Sequence, residues 1–275
     1  MALPQTPAFL KLERAGPVLT VWLNQPQMRN ALSAGMAEEL YATFEALRAM
    51  DDVRVVVVRG AGEVFCAGGD IKSFAAAGAP IPPGAPDPLI AANRRGGALF
   101  QLIDEARQAT IMVVEGFAMG GGFGLACLGD ITLAATDARF AMTEVTLGVV
   151  PAQISPFVVR RIGLTAARRF GVSGARLTGA QAQAIGVATE VAANRTDLEA
   201  ALERAVGQIL QCAPCAVAAT KALMQRAAQG GVALDTLLDQ AATTFAQSVR
   251  SPEGQEGARA FLEKRKPAWA TPPAV

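Results

Sequence analysis

The sequence predicts an α/β core followed by a helical region, and three observations carry that reading. Short apolar runs rich in β-branched residues recur at residues 53–59, 111–114 and 131–134, each too short for a helix. Stretches of helical periodicity separate them. From Pro156 onward the pattern is helical, broken at Gly163, Gly171, Gly174, Gly179 and Gly186. Near-continuous apolar strands are what a sheet covered on both faces requires.

Taken in order, residues 9–13 and 18–23 read as two strands joined at Gly16-Pro17. Ser33 is placed to cap a helix whose buried stripe is Met36, Leu40, Phe44 and Leu47. Residues 78–88 are rich in Gly, Pro and Ala and read as a mobile loop. A helix is expected over 88–107, and a short buried one over 121–128. Amphipathic helices follow at 197–211, 216–229 and 234–249, with a last one over 252–266. The expected division is a core of residues 1–195 and a helical region of residues 196–275.

Composition excludes several classes of function. The 275 residues are 51% hydrophobic, enough to bury a large core, and the formal net charge is +1. Neither a basic stripe nor an aromatic platform suggests a nucleic acid. With no histidine, the usual Ser-His and Cys-His pairs are out. Most zinc sites go with them, and no metal is expected. Cys212-Ala213-Pro214-Cys215 has redox spacing but falls in a helical tract, so it reads as two incidental thiols. No apolar stretch reaches the ~20 residues that span a bilayer. The N-terminus lacks the basic start and apolar centre of a signal peptide, so the expected location is the cytoplasm.

The chemistry is concentrated in two glycine-rich segments, each following an apolar run. One is Phe65-Cys66-Ala67-Gly68-Gly69-Asp70-Ile71-Lys72; the other runs from Gly116 through Gly120-Gly121-Gly122 to Ala126. Glycine lets a backbone approach a ligand closely and turn its N–H groups inward. Two such loops are able to hold one oxyanion between them.

These landmarks, with Arg29-Asn30-Ala31-Leu32 before them, Thr143-Glu144 and Leu147-Gly148 after, and Phe261-Leu262-Glu263-Lys264-Arg265 near the end, resemble the crotonase (enoyl-CoA hydratase/isomerase) family. The resemblance covers residues 19–266. It implies a ββα superhelix core with C-terminal helices, and trimers commonly paired into hexamers. It also implies coenzyme A as part of the substrate, with no further cofactor. By the same resemblance, the N–H groups of Gly69 and Gly121 form an oxyanion hole for the thioester carbonyl, with Gly122 beside them. Ala31, Ala67, Asp70, Ile71 and Lys72 line the adenine and pantetheine path, and Arg29 lies near the CoA phosphates. Phe261 and Lys264 reach CoA, often from a neighbouring subunit, and Glu144 moves the proton.

One departure matters as much as the matches. Where well-studied hydratases of the family carry a second glutamate, this chain has Gly124. Asp130 and Glu115 lie nearby in sequence, but neither occupies that position. A narrower likeness, in Gly122-Phe123-Gly124-Leu125-Ala126-Cys127 and Val150-Pro151-Ala152-Gln153-Ile154-Ser155-Pro156, is to bacterial methylglutaconyl-CoA and isohexenylglutaconyl-CoA hydratases. Such a substrate brings its own carboxylate, for which Gln153 or the Arg94-Arg95 pair are candidates. Two other readings stay open: a Δ3,Δ2-enoyl-CoA isomerase, which needs one carboxylate, and an acyl-CoA-binding protein with little catalysis.

Overall fold

The computed structural model describes residues 3–70, 80–82 and 84–270. Six strands form the main sheet in the order β1-β2-β3-β4-β6-β9. β1 (Leu10–Ala15) and β2 (Val18–Leu23) make an antiparallel hairpin, and Gly16 takes the positive φ of 55° that its tight turn requires. β3 (Val55–Gly60), β4 (Ala109–Val114), β6 (Ile131–Ala135) and β9 (Glu190–Ala192) all run parallel to β2. The five expected strands, β1 to β4 and β6, therefore form, each within two residues of its expected start, and β9 is one the sequence reading lacked.

Strand period explains the two cores. Val56, Val58, Met112 and Val114 point to one face, and Val55, Val57, Ile111 and Val113 to the other. The first face is covered by α1 (Ala34–Leu47), α2 (Pro88–Asp104) and α3 (Gly121–Ala126). Ser33 caps α1 by accepting the Met36 N–H (3.3 Å), and the predicted stripe of α1 is buried. Asp87 caps α2 in the same way through the Leu89 N–H (2.8 Å), with Pro88 at its first position.

A second, three-stranded sheet of β5 (Phe117–Met119), β7 (Arg139–Ala141) and β8 (Leu177–Thr178) escapes the sequence reading. Strands of two or three residues leave no periodicity to detect. After β7 come α4 (Ser155–Ser173), α5 (Gly179–Ala184) and α6 (Arg195–Leu210). Gly163 (φ 73°) kinks α4 and Gly174 ends it, whereas Gly171 lies inside the helix and breaks nothing.

α6 lies on the second face of the main sheet, where Leu198, Ala201 and Leu210 meet Val57, Ile111 and Leu133. By packing, α6 belongs with the second face of the sheet. Beyond it, α7 (Pro214–Gln229) docks on the core through Lys221, which pairs with Asp130 (2.9 Å), and Gln225, which donates to the Asp104 carbonyl (2.5 Å). Cys212 and Cys215 straddle the α6–α7 junction instead of lying within one helix, and both are exposed and free. α8 (Leu234–Arg250) and α9 (Pro252–Leu262) complete the chain, the last ending four residues before the expected Lys266. Among the described residues, no helix is long and apolar enough to cross a membrane.

Candidate active site

The two glycine loops meet where strands β3 and β5 end. After β3 the chain turns through residues 61–70, held by a clamp that the sequence reading missed. Asn30 is fully buried in the left-handed conformation (φ 53°), which Asn tolerates better than most residues. Its Oδ1 accepts the Gln25 N–H (2.8 Å), and its Nδ2 donates to the carbonyls of Ala61 (2.9 Å) and Val64 (2.6 Å). Main-chain bonds extend the clamp: Ala67 N–H to the Arg29 carbonyl (3.0 Å) and Leu32 N–H to the Gly68 carbonyl (2.7 Å). In the sequence Asn30 stood out only within the Arg29-Asn30-Ala31-Leu32 landmark, with no role for its side chain.

The second loop is fixed by strand register. β5 and β7 run parallel with Met119 opposite Ala141, and the Gly120 N–H donates to the Ala141 carbonyl (2.8 Å). Gly120 (φ 50°, ψ −117°) then turns the chain into α3. Gly121 opens that helix, so its N–H has no partner within the helix and points from the positive end. A methyl group built on Gly121 would stand 3.9 Å from the Gly69 nitrogen and 3.0 Å from Leu32 Cδ1. One on Gly122 would collide with the Cys66 carbonyl (2.4 Å), so the bare backbone lets the loops pack. Gly68 (φ 100°) likewise passes close over Met119. Among the described residues, neither Gly69 nor Gly121 spends its N–H on an internal acceptor.

The same register delivers Glu144. It begins the single 3-10 turn Glu144–Leu147 that follows β7, three residues beyond Ala141, as Gly122 is beyond Met119. Its Oε1 lies 3.1 Å from where a Gly120 methyl would be. Its Oε2 is buried without a hydrogen-bond partner. Burial in this unpaired setting raises the carboxyl's pKa above its ordinary value, and its own backbone N–H offsets this only in part. Two N–H groups without an internal acceptor, on loops that pack together beside a carboxyl of raised pKa, have the chemistry to stabilise an enolate oxygen and move a proton.

The other predicted site residues divide. Ala31, Ala67 and Asp70 are half-buried along the two loops, and Arg29 is exposed at their edge. Ile71 and Lys72 lie outside the described residues. Phe261 and Lys264 are exposed at the end of α9. Gln153 donates through Nε2 to Asn93 Oδ1 (2.7 Å) and seats against Gly97 of α2. Arg94 and Arg95 are exposed on α2, Arg95 lying 3.6 Å from Glu38. Asp130 accepts from Thr110 and Lys221, and Glu115 pairs with Arg59 (3.0 Å), so both serve structure. Position 124 is closed: a methyl there would fall 2.3 Å from Ile154 Cγ2 and 2.9 Å from Phe100 Cε1.

The family model described as enoyl-CoA hydratase/isomerase matches residues 13–272. The chain belongs to the enoyl-CoA hydratase/isomerase family. It is 30% identical to the 2,3-dehydroadipyl-CoA hydratase of Escherichia coli K12, over 94% of this chain and 97% of the other. Among solved structures it superposes on an enoyl-CoA hydratase/isomerase from Marinobacter aquaeolei with a TM-score of 0.91 and 45% identity, covering 96% and 99% of the two chains. It superposes on Pseudomonas aeruginosa AtuE with a TM-score of 0.90 and 46% identity, covering 96% and 100%. The fold is the crotonase fold, and the family acts on acyl-CoA thioesters.

Proposed function

We propose that this enzyme adds water to a 2-enoyl-CoA whose acyl chain carries its own distal carboxylate, a branched glutaconyl-CoA being the expected case. The observation that carries the reading is the buried, unpartnered Oε2 of Glu144 beside Gly120, where the loops of Gly69 and Gly121 pack together with both N–H groups unspent. The thioester oxygen accepts from both N–H groups. Glu144 takes a proton from water as the water oxygen bonds to C3. The double-bond electrons move onto the thioester oxygen, and the enolate collapses as Glu144 returns the proton to C2. Fixed donors need no reorganisation as that charge develops, and losing one typically costs ~10²–10³ in rate.

The closed position at Gly124 is why a carboxylate-bearing substrate is preferred, since the substrate then supplies the second polar group. A relative named for 2,3-dehydroadipyl-CoA, a thioester whose acyl chain ends in a carboxylate, supports this preference. Gln153 is the candidate to recognise that group. Arg29, Ala31, Ala67, Asp70, Ile71, Lys72 and Gly122 line the CoA path in this reading, while Phe261 and Lys264 reach the CoA of a neighbouring subunit. Leu234, Leu238, Phe245 and Val249 of α8 are exposed, which supports burial in a trimer or a dimer of trimers. Light scattering then reads three or six times 28.4 kDa.

A second reading is favoured by the same closed position: Δ3,Δ2-isomerisation, in which one carboxylate carries a proton from C4 to C2. Absorbance at the enoyl-thioester band separates the two. Loss of the band with 3-methylglutaconyl-CoA supports hydration. Gain of the band with a 3-enoyl-CoA, without loss in any 2-enoyl substrate, makes this an isomerase. Acyl-CoA binding without either change leaves the non-catalytic reading.

A further inference from the structure

The geometry points to Ile154 as the residue that limits this site to one carboxylate and thereby selects its substrates, an inference that rests on the hydration reading above. Gly120 and Gly124 are one helical turn apart, joined by a 3.0 Å bond from the Gly124 N–H to the Gly120 carbonyl. A side chain at the first would meet the Glu144 carboxylate; at the second it would meet Ile154 and Phe100. Over the ~6 Å rise of that turn, the surface of α3 changes from a proton-transfer group to hydrocarbon.

The hydrocarbon wall is held from several sides. Ile154 and Phe100 are almost fully buried. Phe100 of α2 packs against Phe157 of α4 with ring centroids 6.0 Å apart. The Ile154 carbonyl accepts the Val158 N–H (3.0 Å), and its neighbour Gln153 is tied to Asn93. A β-branched side chain is stiff about χ1, so Ile154 cannot simply swing away. A carboxylate forced in at position 124 would be buried against methyl groups with no donor, which is costly. With glycine at 124 and hydrocarbon against it, that position supplies no carboxylate to hold water. An enoyl chain without a polar group of its own is therefore a poor substrate, and Ile154 enforces this.

Two experiments test the inference separately. The first is a melting cycle of the wild type, Gly124→Ala, Ile154→Ala and the double variant. Relief of the 2.3 Å overlap makes the combined loss of Tm smaller than the sum of the single losses. Additive losses overturn the wall whatever the reaction is. The second is crotonyl-CoA hydration by Gly124→Glu with and without Ile154→Ala. The double variant is expected to exceed both the wild type and Gly124→Glu by about 10²-fold, the scale of one general acid or base. Adding Glu144→Gln is expected to remove the gain. Equal activity of Gly124→Glu alone, or a folded double variant without gain, overturns the assignment of Ile154. Should the double variant fail to fold, the melting cycle decides by itself. A wild type that only isomerises a 3-enoyl-CoA overturns the hydration reading and leaves the melting cycle standing.

Discussion

Replacing Asn30 with alanine tests whether a buried amide, remote from any reacting atom, holds the oxyanion loop in place. The substitution removes three hydrogen bonds, from the Gln25 N–H and to the carbonyls of Ala61 and Val64. At a net ~1 kcal/mol each, that is about 3 kcal/mol. Alanine in the left-handed conformation adds roughly 1 kcal/mol that asparagine largely avoids. A loss near 4 kcal/mol corresponds to a Tm lower by roughly 10 °C in a domain of this size. The loop so loosened carries the Gly69 N–H, one of the two oxyanion donors in the proposed mechanism. Since complete loss of a donor costs ~10²–10³, misplacement is expected to lower kcat by ~10–100-fold while KM changes little. The assay is steady-state turnover well below the melting temperature, alongside a thermal melt. Asn30→Asp keeps the acceptor for Gln25 but sets a buried carboxylate oxygen against the Ala61 and Val64 carbonyls, so it should lose at least as much Tm as alanine. Unchanged kcat in a variant with a clearly lowered Tm would refute the link from clamp to catalysis. Unchanged Tm would refute the clamp itself.

Three further outcomes follow from the same geometry. Burial raises the folded-state pKa of Glu144, so folding favours its protonated form. That stability is present below the ordinary value of 4.5 and is lost as pH rises through the raised value. Glu144→Gln should therefore melt above the wild type at pH 7–8, an advantage that vanishes below about pH 4.5, while turnover is lost at every pH; a melting difference independent of pH would contradict it. Gly121→Ala places a methyl 3.9 Å from the Gly69 nitrogen and only against the flexible tip of Leu32, so turnover should drop ~10²-fold with a Tm change of a few degrees at most. The thiols of Cys66 and Cys127 are buried and pushed up to about 12, whereas Cys212 and Cys215 are exposed. Thiol titration of the folded chain should find two fast groups, with the remaining two appearing on unfolding; four fast groups would contradict the buried placement.

The sequence by itself determined the strands β1 to β4 and β6, the capped helix α1 and the two glycine loops. Period and local chemistry are properties of neighbouring residues. Val55 through Val58 can only be a strand covered on both faces, and Ser33 caps whatever helix follows it. Glu144 was legible through a resemblance, since its own surroundings in the chain are unremarkable. Position 124 was legible only as a missing carboxylate. What filled that space came from residues 24 positions before it and 30 after it, Phe100 and Ile154. The Asn30 clamp, the register that sets Glu144 beside Gly120, and the docking of α6 on the sheet were likewise decided by tertiary structure. Each depends on contacts between segments far apart in the chain. Short strands such as β5 and β7 are stable only through those contacts, so no local pattern announces them. A close approach of two backbones becomes visible only when both are folded.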